Sequence, residues 1–179
     1  MHKDLKEILL SSSQIEKRVK ELGELITKDY RDKKLLLVGV LKGCFVFLSD
    51  LVRNIKIDVS VDFIMVSSYE GMQSSGIVRI LLDLKQSVEG KDVLIVEDIV
   101  DSGLTMSYLL KNIRTRNPSS VEICTLLNKP SCRKIRLNLK YIGFDIPDRF
   151  VVGYGLDYHE YYRNLPYIGV LKDEVYEKK

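Results

Sequence analysis

Cysteine is scarce in this chain: Cys44, Cys124 and Cys132 are the only three in 179 residues, too few and too odd in number to pair off as disulfides. They lack the close spacing of a zinc site, so a reduced, cytoplasmic setting is expected. Long apolar runs are missing too. Nothing approaches the roughly 18 residues of a membrane span, and Met1 to Glu7 has no signal-peptide apolar core, so no membrane association is expected. Charge of one sign is not in excess. With 28 basic and 25 acidic residues the net charge is +3, which gives no broad electrostatic case for nucleic-acid binding. A Walker-type phosphate loop, which would mark a nucleotide hydrolase, is absent, as are repeats, low-complexity stretches and linkers. His159 has no serine or cysteine set around it that would make it a catalyst, and it reads as a loop residue.

What is present fits one domain, 1–179, with an ordinary apolar share of 45%. A helix is expected from about Ser13, where Ser13 and Glu16 have capping-box spacing and Ile15, Val19, Leu22 and Ile26 share a face. Leu35 to Leu41 reads as a strand, followed by a helix through Phe45, Phe47, Leu48 and Leu51. The alternation of Val59, Val61, Phe63 and Met65 predicts another strand. Ser67 to Gly76 reads as a loop, with Val78 to Leu84 pairing back. Val93 to Glu97 predicts a strand leading to a helix over Leu104 to Arg114. Val121 to Leu127, Tyr141 to Phe144 and Ile168 to Leu171 are further strands. Strands alternating with helices predict an α/β fold with a mainly parallel twisted sheet flanked by helices.

The most informative segment runs from Glu97 through Asp98, Ile99, Val100, Asp101, Ser102, Gly103 and Leu104 to Thr105. An apolar strand ending in two carboxylates places charge where burial is unfavourable, so those acids need partners. Successive strand residues point to opposite faces, so from an ideal strand Glu97 and Asp98 cannot serve one small atom. The strand's carboxyl end is where open α/β sheets bind ligands. The following turn offers backbone amides, the Ser102 and Thr105 hydroxyls, and Gly103 for close approach, all at a helix N-terminus. That is a cradle for one phosphate group. Carboxylates repel phosphate, so Glu97 and Asp98 should face sugar hydroxyls or Mg²⁺, which typically takes one or two carboxylates plus substrate oxygens. The implied ligand is a sugar phosphate with a diol. The alternative is a plain turn capped by Asp101 or Ser102, which leaves both acids without a task.

Val93 to Thr105 resembles the phosphoribosyl-diphosphate signature of the type I phosphoribosyltransferases. From about Leu35 to Leu171 the chain is similar to their hypoxanthine-guanine group, through Leu41-Lys42-Gly43, Ser68-Tyr69, Lys129, Phe150 to Tyr154, Asp157 and Arg163. The resemblance implies the type I fold: a core of about 35–145 and a small hood from about 1–15 and 146–179. It implies transfer of 5-phosphoribose from phosphoribosyl diphosphate to N9 of hypoxanthine or guanine with Mg²⁺, giving IMP or GMP and pyrophosphate.

The same resemblance implies the residue roles. The 5′-phosphate lies on Asp101, Ser102, Gly103, Leu104 and Thr105. Glu97 and Asp98 hold the ribose and metal region, with Asp157 near a second metal. Lys42, Gly43 and Arg163 bind diphosphate, and the Lys42-Gly43 peptide can take a cis form. Phe150 stacks on the purine while Val151 and Asp157 meet its edge. Asp101 receives the N7 proton. Ser68 and Tyr69 begin a lid, and assembly as a homodimer or homotetramer is implied. Lys129, having donors only, suits O6 of a 6-oxopurine and opposes the amine of adenine, whereas xanthine stays open. Two readings stay open beside this one: an RNA-binding regulator on the same scaffold, and an enzyme for another base. Some relatives carry a glycine at the position of Cys44, which leaves that thiol's role open.

Overall fold

In the computed structural model, which describes residues 1–68 and 78–176, two sheets are formed. The larger has the order β4-β3-β2-β5-β6-β7, from β2 (Leu35–Leu41), β3 (Val59–Ser68), β4 (Val78–Leu82), β5 (Asp92–Val100), β6 (Ser120–Asn128) and β7 (Tyr141–Asp145). All its pairings are parallel except β3 with β4. The expected mainly parallel α/β sheet is what forms.

Its centre is built from strands with long apolar runs, Leu35 to Leu41 and Val93 to Val96, as strands covered on both faces must have. Alternation sends Leu35, Leu37, Leu94 and Val96 to one face, against α1 (Ser12–Asp29) and α2 (Phe45–Asn54). Leu36, Val38, Val93 and Ile95 go to the other, against Met106, Leu109, Leu110 and Ile113 of α3 (Leu104–Arg114). Each fully buried aliphatic side chain contributes about 1.5–3 kcal/mol, which fixes the register and so the height at which β5 ends.

The smaller sheet, β1-β9-β8, joins the two ends of the chain: β1 (Leu5–Leu10) and β8 (Val151–Val152) flank β9 (Ile168–Leu171), both antiparallel to it. A last helical turn, α4, covers Asp173–Tyr176. Among the described residues no helix is long and apolar enough to cross a membrane.

Several expectations are corrected. The first helix starts at Ser12, and its capping box joins Ser11 and Gln14 rather than Ser13 and Glu16: the Gln14 amide donates to Ser11 Oγ (3.3 Å) and the Ser11 amide to Gln14 Oε1 (2.9 Å). Ser67 and Ser68 are strand, not loop, because they pair with Arg79 and Val78. β4 ends at Leu82, not Leu84, and β5 continues past Glu97 to Val100. Tyr69 and the rest of the expected lid lie outside the described residues.

Candidate active site

The carboxyl ends of β2, β5 and β6 and the turns of the smaller sheet meet above the large sheet. The paired register of β2 with β5 ends at Gly39–Val96, while β5 runs on beside β6 to Val100. One flank of Glu97 to Val100 is thereby opened, and a cavity of about 210 Å³ forms there. Glu97, Asp98, Asp101, Ser102, Gly103 and Thr105 all contribute to its wall, as does Gly43. Both acids therefore face one cavity, in contrast to the opposite faces of an ideal strand, because the strand end is released on that side.

The two carboxyls interact directly. Glu97 is buried, and its carboxyl is pushed well above the usual carboxylate range by desolvation first, then by the hydrogen bond with Asp98 and its negative charge. Asp98 lies against Gly43, at the start of the turn after β2: a β-carbon at position 43 would land inside the Asp98 carboxylate. The same charges act on Cys44. Its thiol is fully buried and held protonated by desolvation and by Glu97 and Asp98, and it is free of any disulfide. The cis peptide in this turn is Leu41-Lys42, one bond earlier than the Lys42-Gly43 peptide expected from the resemblance.

The cradle expected for a phosphate is an N-terminal helix turn stiffened from behind. Gly103 precedes α3 with φ 85°, the left-handed region, and its carbonyl accepts the Ser107 amide (2.9 Å). A side chain there would strike Leu137 and Arg133. The Ser102 carbonyl accepts the Lys134 and Ile135 amides at 3.0 and 3.3 Å. The first-turn amides of a helix have no partners within it, so this cradle presents donors to an anion.

Lys129 follows β6, and its amide donates to the Val100 carbonyl (3.0 Å), which sets it beside Asp101 in the chain's path. Its side chain is buried, and the ammonium contacts Asp148 Oδ1 at 3.3 Å. Asp148 is held below the usual carboxylate range by a hydrogen bond from the Cys132 thiol and then by Lys129. Phe150 stacks on Tyr176 (centroids 5.0 Å apart, 18° between planes) and meets Tyr158 edge-on, yet remains 39% exposed. Val151 is buried in β8. Arg163 contacts Asp157 Oδ1 (2.9 Å) and Glu160 Oε2 (3.2 Å), and it donates to the Gly155 carbonyl (2.8 Å). Gly155, with φ 102°, packs on the Gly43 carbonyl and so ties the Arg163 turn to the turn after β2.

The cavity wall thus gathers the acids and the cradle. Lys42, Lys129, Phe150, Val151, Asp157 and Arg163 are not part of it. Among the described residues no three His, Cys, Asp or Glu side chains cluster to hold a metal. The Glu97–Asp98 pair fits a cation that takes one or two carboxylates and draws its other ligands from substrate and water. Sequence reading missed Asp148, Gly155 and Glu160 as site neighbours. Gly155 could have been found as the second glycine of Gly153-Tyr154-Gly155, whereas Asp148 and Glu160 read as surface acids.

Comparison with known proteins gives the family. The phosphoribosyl transferase domain family matches residues 6–159. The chain is similar to the hypoxanthine-guanine phosphoribosyltransferase of Staphylococcus epidermidis, with 54% identity over 99% of this chain and 100% of that protein. Among solved structures it resembles the hypoxanthine phosphoribosyltransferase of Staphylococcus aureus, with TM-score 0.95, 54% identity, and coverage of 98% of this chain and 96% of that one. It also resembles the Trypanosoma cruzi enzyme in complex with the product IMP, with TM-score 0.92, 43% identity, and coverage of 98% and 99%.

Proposed function

This chain belongs to the phosphoribosyltransferase family, in its hypoxanthine-guanine group, and from that premise we propose that it transfers 5-phosphoribose from phosphoribosyl diphosphate to N9 of hypoxanthine or guanine. The products are IMP or GMP and pyrophosphate, and the role is purine salvage. The observation that carries the reading is the single cavity in which a carboxyl pair, Glu97 and Asp98, stands beside a phosphate cradle at Asp101 to Thr105.

The 5′-phosphate sits on the amides and hydroxyls of the cradle, and Glu97 and Asp98 receive the ribose hydroxyls. Lys42, Gly43 and Arg163 face the diphosphate. Mg²⁺ would be held by Glu97 and Asp98, with Asp157 near the diphosphate, and when bound it neutralises charge on donor oxygens. C1 gains cationic character as pyrophosphate leaves, so alignment and fixed charge supply most of the rate. Asp101 takes or steers the N7 proton of the purine. Lys129 donates to O6, and Phe150 stacks on the ring, a contact worth about 1–3 kcal/mol by analogy with other base–aromatic stacks. Self-association as a homodimer or homotetramer belongs to the same proposal; Phe45, 46% exposed beside a cavity of about 730 Å³, supports it.

The test is a substrate panel with phosphoribosyl diphosphate and Mg²⁺, following pyrophosphate release for each base. Hypoxanthine and guanine are expected to turn over and adenine to be rejected. Steep salt-dependent RNA binding, with no nucleotide formed, would instead favour the regulator.

A further inference from the structure

We propose that Glu160 is a built-in stand-in for the diphosphate, closing the two cationic arms of the site on a carboxylate until the donor displaces it. This rests on the reading of Lys42 and Arg163 as diphosphate ligands. The two oxygens of Glu160 are divided between those cations: Oε1 lies 3.0 Å from Lys42 Nζ and Oε2 lies 3.2 Å from Arg163 Nη2. One anion thus spans Lys42, which lies 118 residues from it in the chain, and Arg163 of its own turn, as the oxygens of a bound diphosphate would.

The turn that presents Glu160 is shaped for this. Amide–carbonyl bonds between Tyr158 and Tyr161, at 3.1 and 3.2 Å, close it into a tight loop. His159, Glu160 and Tyr162 all take left-handed φ values of 50°, 67° and 75°, which non-glycine residues adopt only where surroundings hold them. The Glu160 amide donates to Asp157 Oδ2 (2.8 Å), so the backbone is fixed while the side chain stays 64% exposed. A side chain in that position can swing into water without unfolding anything. Arg163 is otherwise well anchored, by Asp157 and the Gly155 carbonyl, and its Nε is a buried donor without a partner. The Lys42 and Arg163 hydrogen bonds hold Glu160 below the usual carboxylate range, consistent with an anion that competes for both.

Diphosphate must therefore displace Glu160 to bind, and the returning carboxylate helps product leave. The test uses the full chain with Glu160→Gln, which keeps size and removes charge, and Glu160→Asp, too short to span both cations. Inorganic pyrophosphate affinity is measured by calorimetry with Mg²⁺, and the Michaelis constants of donor and hypoxanthine by steady-state kinetics. In Glu160→Gln, pyrophosphate affinity rises and donor KM falls by roughly twofold to tenfold, as loss of one or two exposed ion pairs allows, while hypoxanthine KM is unchanged. Glu160→Asp moves the same way to a smaller extent. Unchanged or weaker pyrophosphate binding in Glu160→Gln would overturn the proposal even in an active enzyme. A wild-type chain that forms no nucleotide, whose Glu160→Gln variant nevertheless binds pyrophosphate more tightly, would overturn the transfer reading and leave this one standing.

Discussion

The carboxylate of Asp98 rests against the α-carbon of Gly43, in the space a side chain at residue 43 would fill. This contact joins the acid pair at the end of β5 to the turn after β2, the two halves of the proposed donor site. It makes glycine a requirement of packing there, with no appeal to a left-handed backbone.

Gly43→Ala is the direct consequence. The atom in the way is the end of the Asp98 side chain, so the overpacking, worth about 1–3 kcal/mol, displaces that carboxylate and kcat/KM for the donor should fall by roughly 5- to 150-fold. The melting temperature should fall by a few degrees at most, because the clash is at the sheet's open edge. Steady-state kinetics beside thermal unfolding separates the two effects.

Asp101→Asn probes the proton acceptor. General-base assistance typically contributes 10²–10⁴-fold, so turnover at saturating substrates should drop within that range. A variant that kept nearly full turnover would remove Asp101 from the mechanism.

Lys129→Met probes base choice. A hydrogen bond from a charged donor is worth about 1.5–3 kcal/mol, so kcat/KM for hypoxanthine should fall by roughly 10- to 150-fold and the preference over adenine should shrink with it. Asp148→Asn releases the ammonium from its 3.3 Å partner. Unlike Lys42, Lys129 is buried and has this acid as its positioning partner, so the change should raise hypoxanthine KM severalfold while leaving donor KM where it was.

A pair far from the site supplies a stability control. Arg116 meets Asp83 with both forks, Nη1–Oδ1 at 2.9 Å and Nη2–Oδ2 at 3.0 Å, and that hydrogen bonding holds the Asp83 carboxyl below its usual range. A depressed folded-state pKa contributes stability above the unfolded value and loses it as pH falls through the folded one. Asp83→Asn should therefore cost at most about 1 kcal/mol near neutral pH, since the pair is exposed. The difference from wild type should vanish in strong acid, with activity unchanged, as read by denaturant melts across pH.

Much of the fold was legible because its central strands are apolar on both faces. Leu35–Leu41, Leu104–Arg114 and Ile168–Leu171 stand where the sequence places them. β1 was not legible as a strand: Lys6, Glu7 and Ile8 between its buried ends break any simple alternation, and its partner β9 is at the other end of the chain. The cradle and acid pair could be read because nine consecutive residues carry them. The ties of Lys129 to Asp148 and of Lys42 to Glu160 could not, since each joins a lysine to a surface acid by a meeting that only the tertiary fold arranges.

The measurement that decides most is a crystal structure of the full chain soaked with phosphoribosyl diphosphate and Mg²⁺. The expected density has the 5′-phosphate on the amides and hydroxyls of residues 101–105 and the ribose hydroxyls and metal at Glu97 and Asp98. Donor bound elsewhere, or an unfilled pocket at saturating concentrations of both, would contradict it.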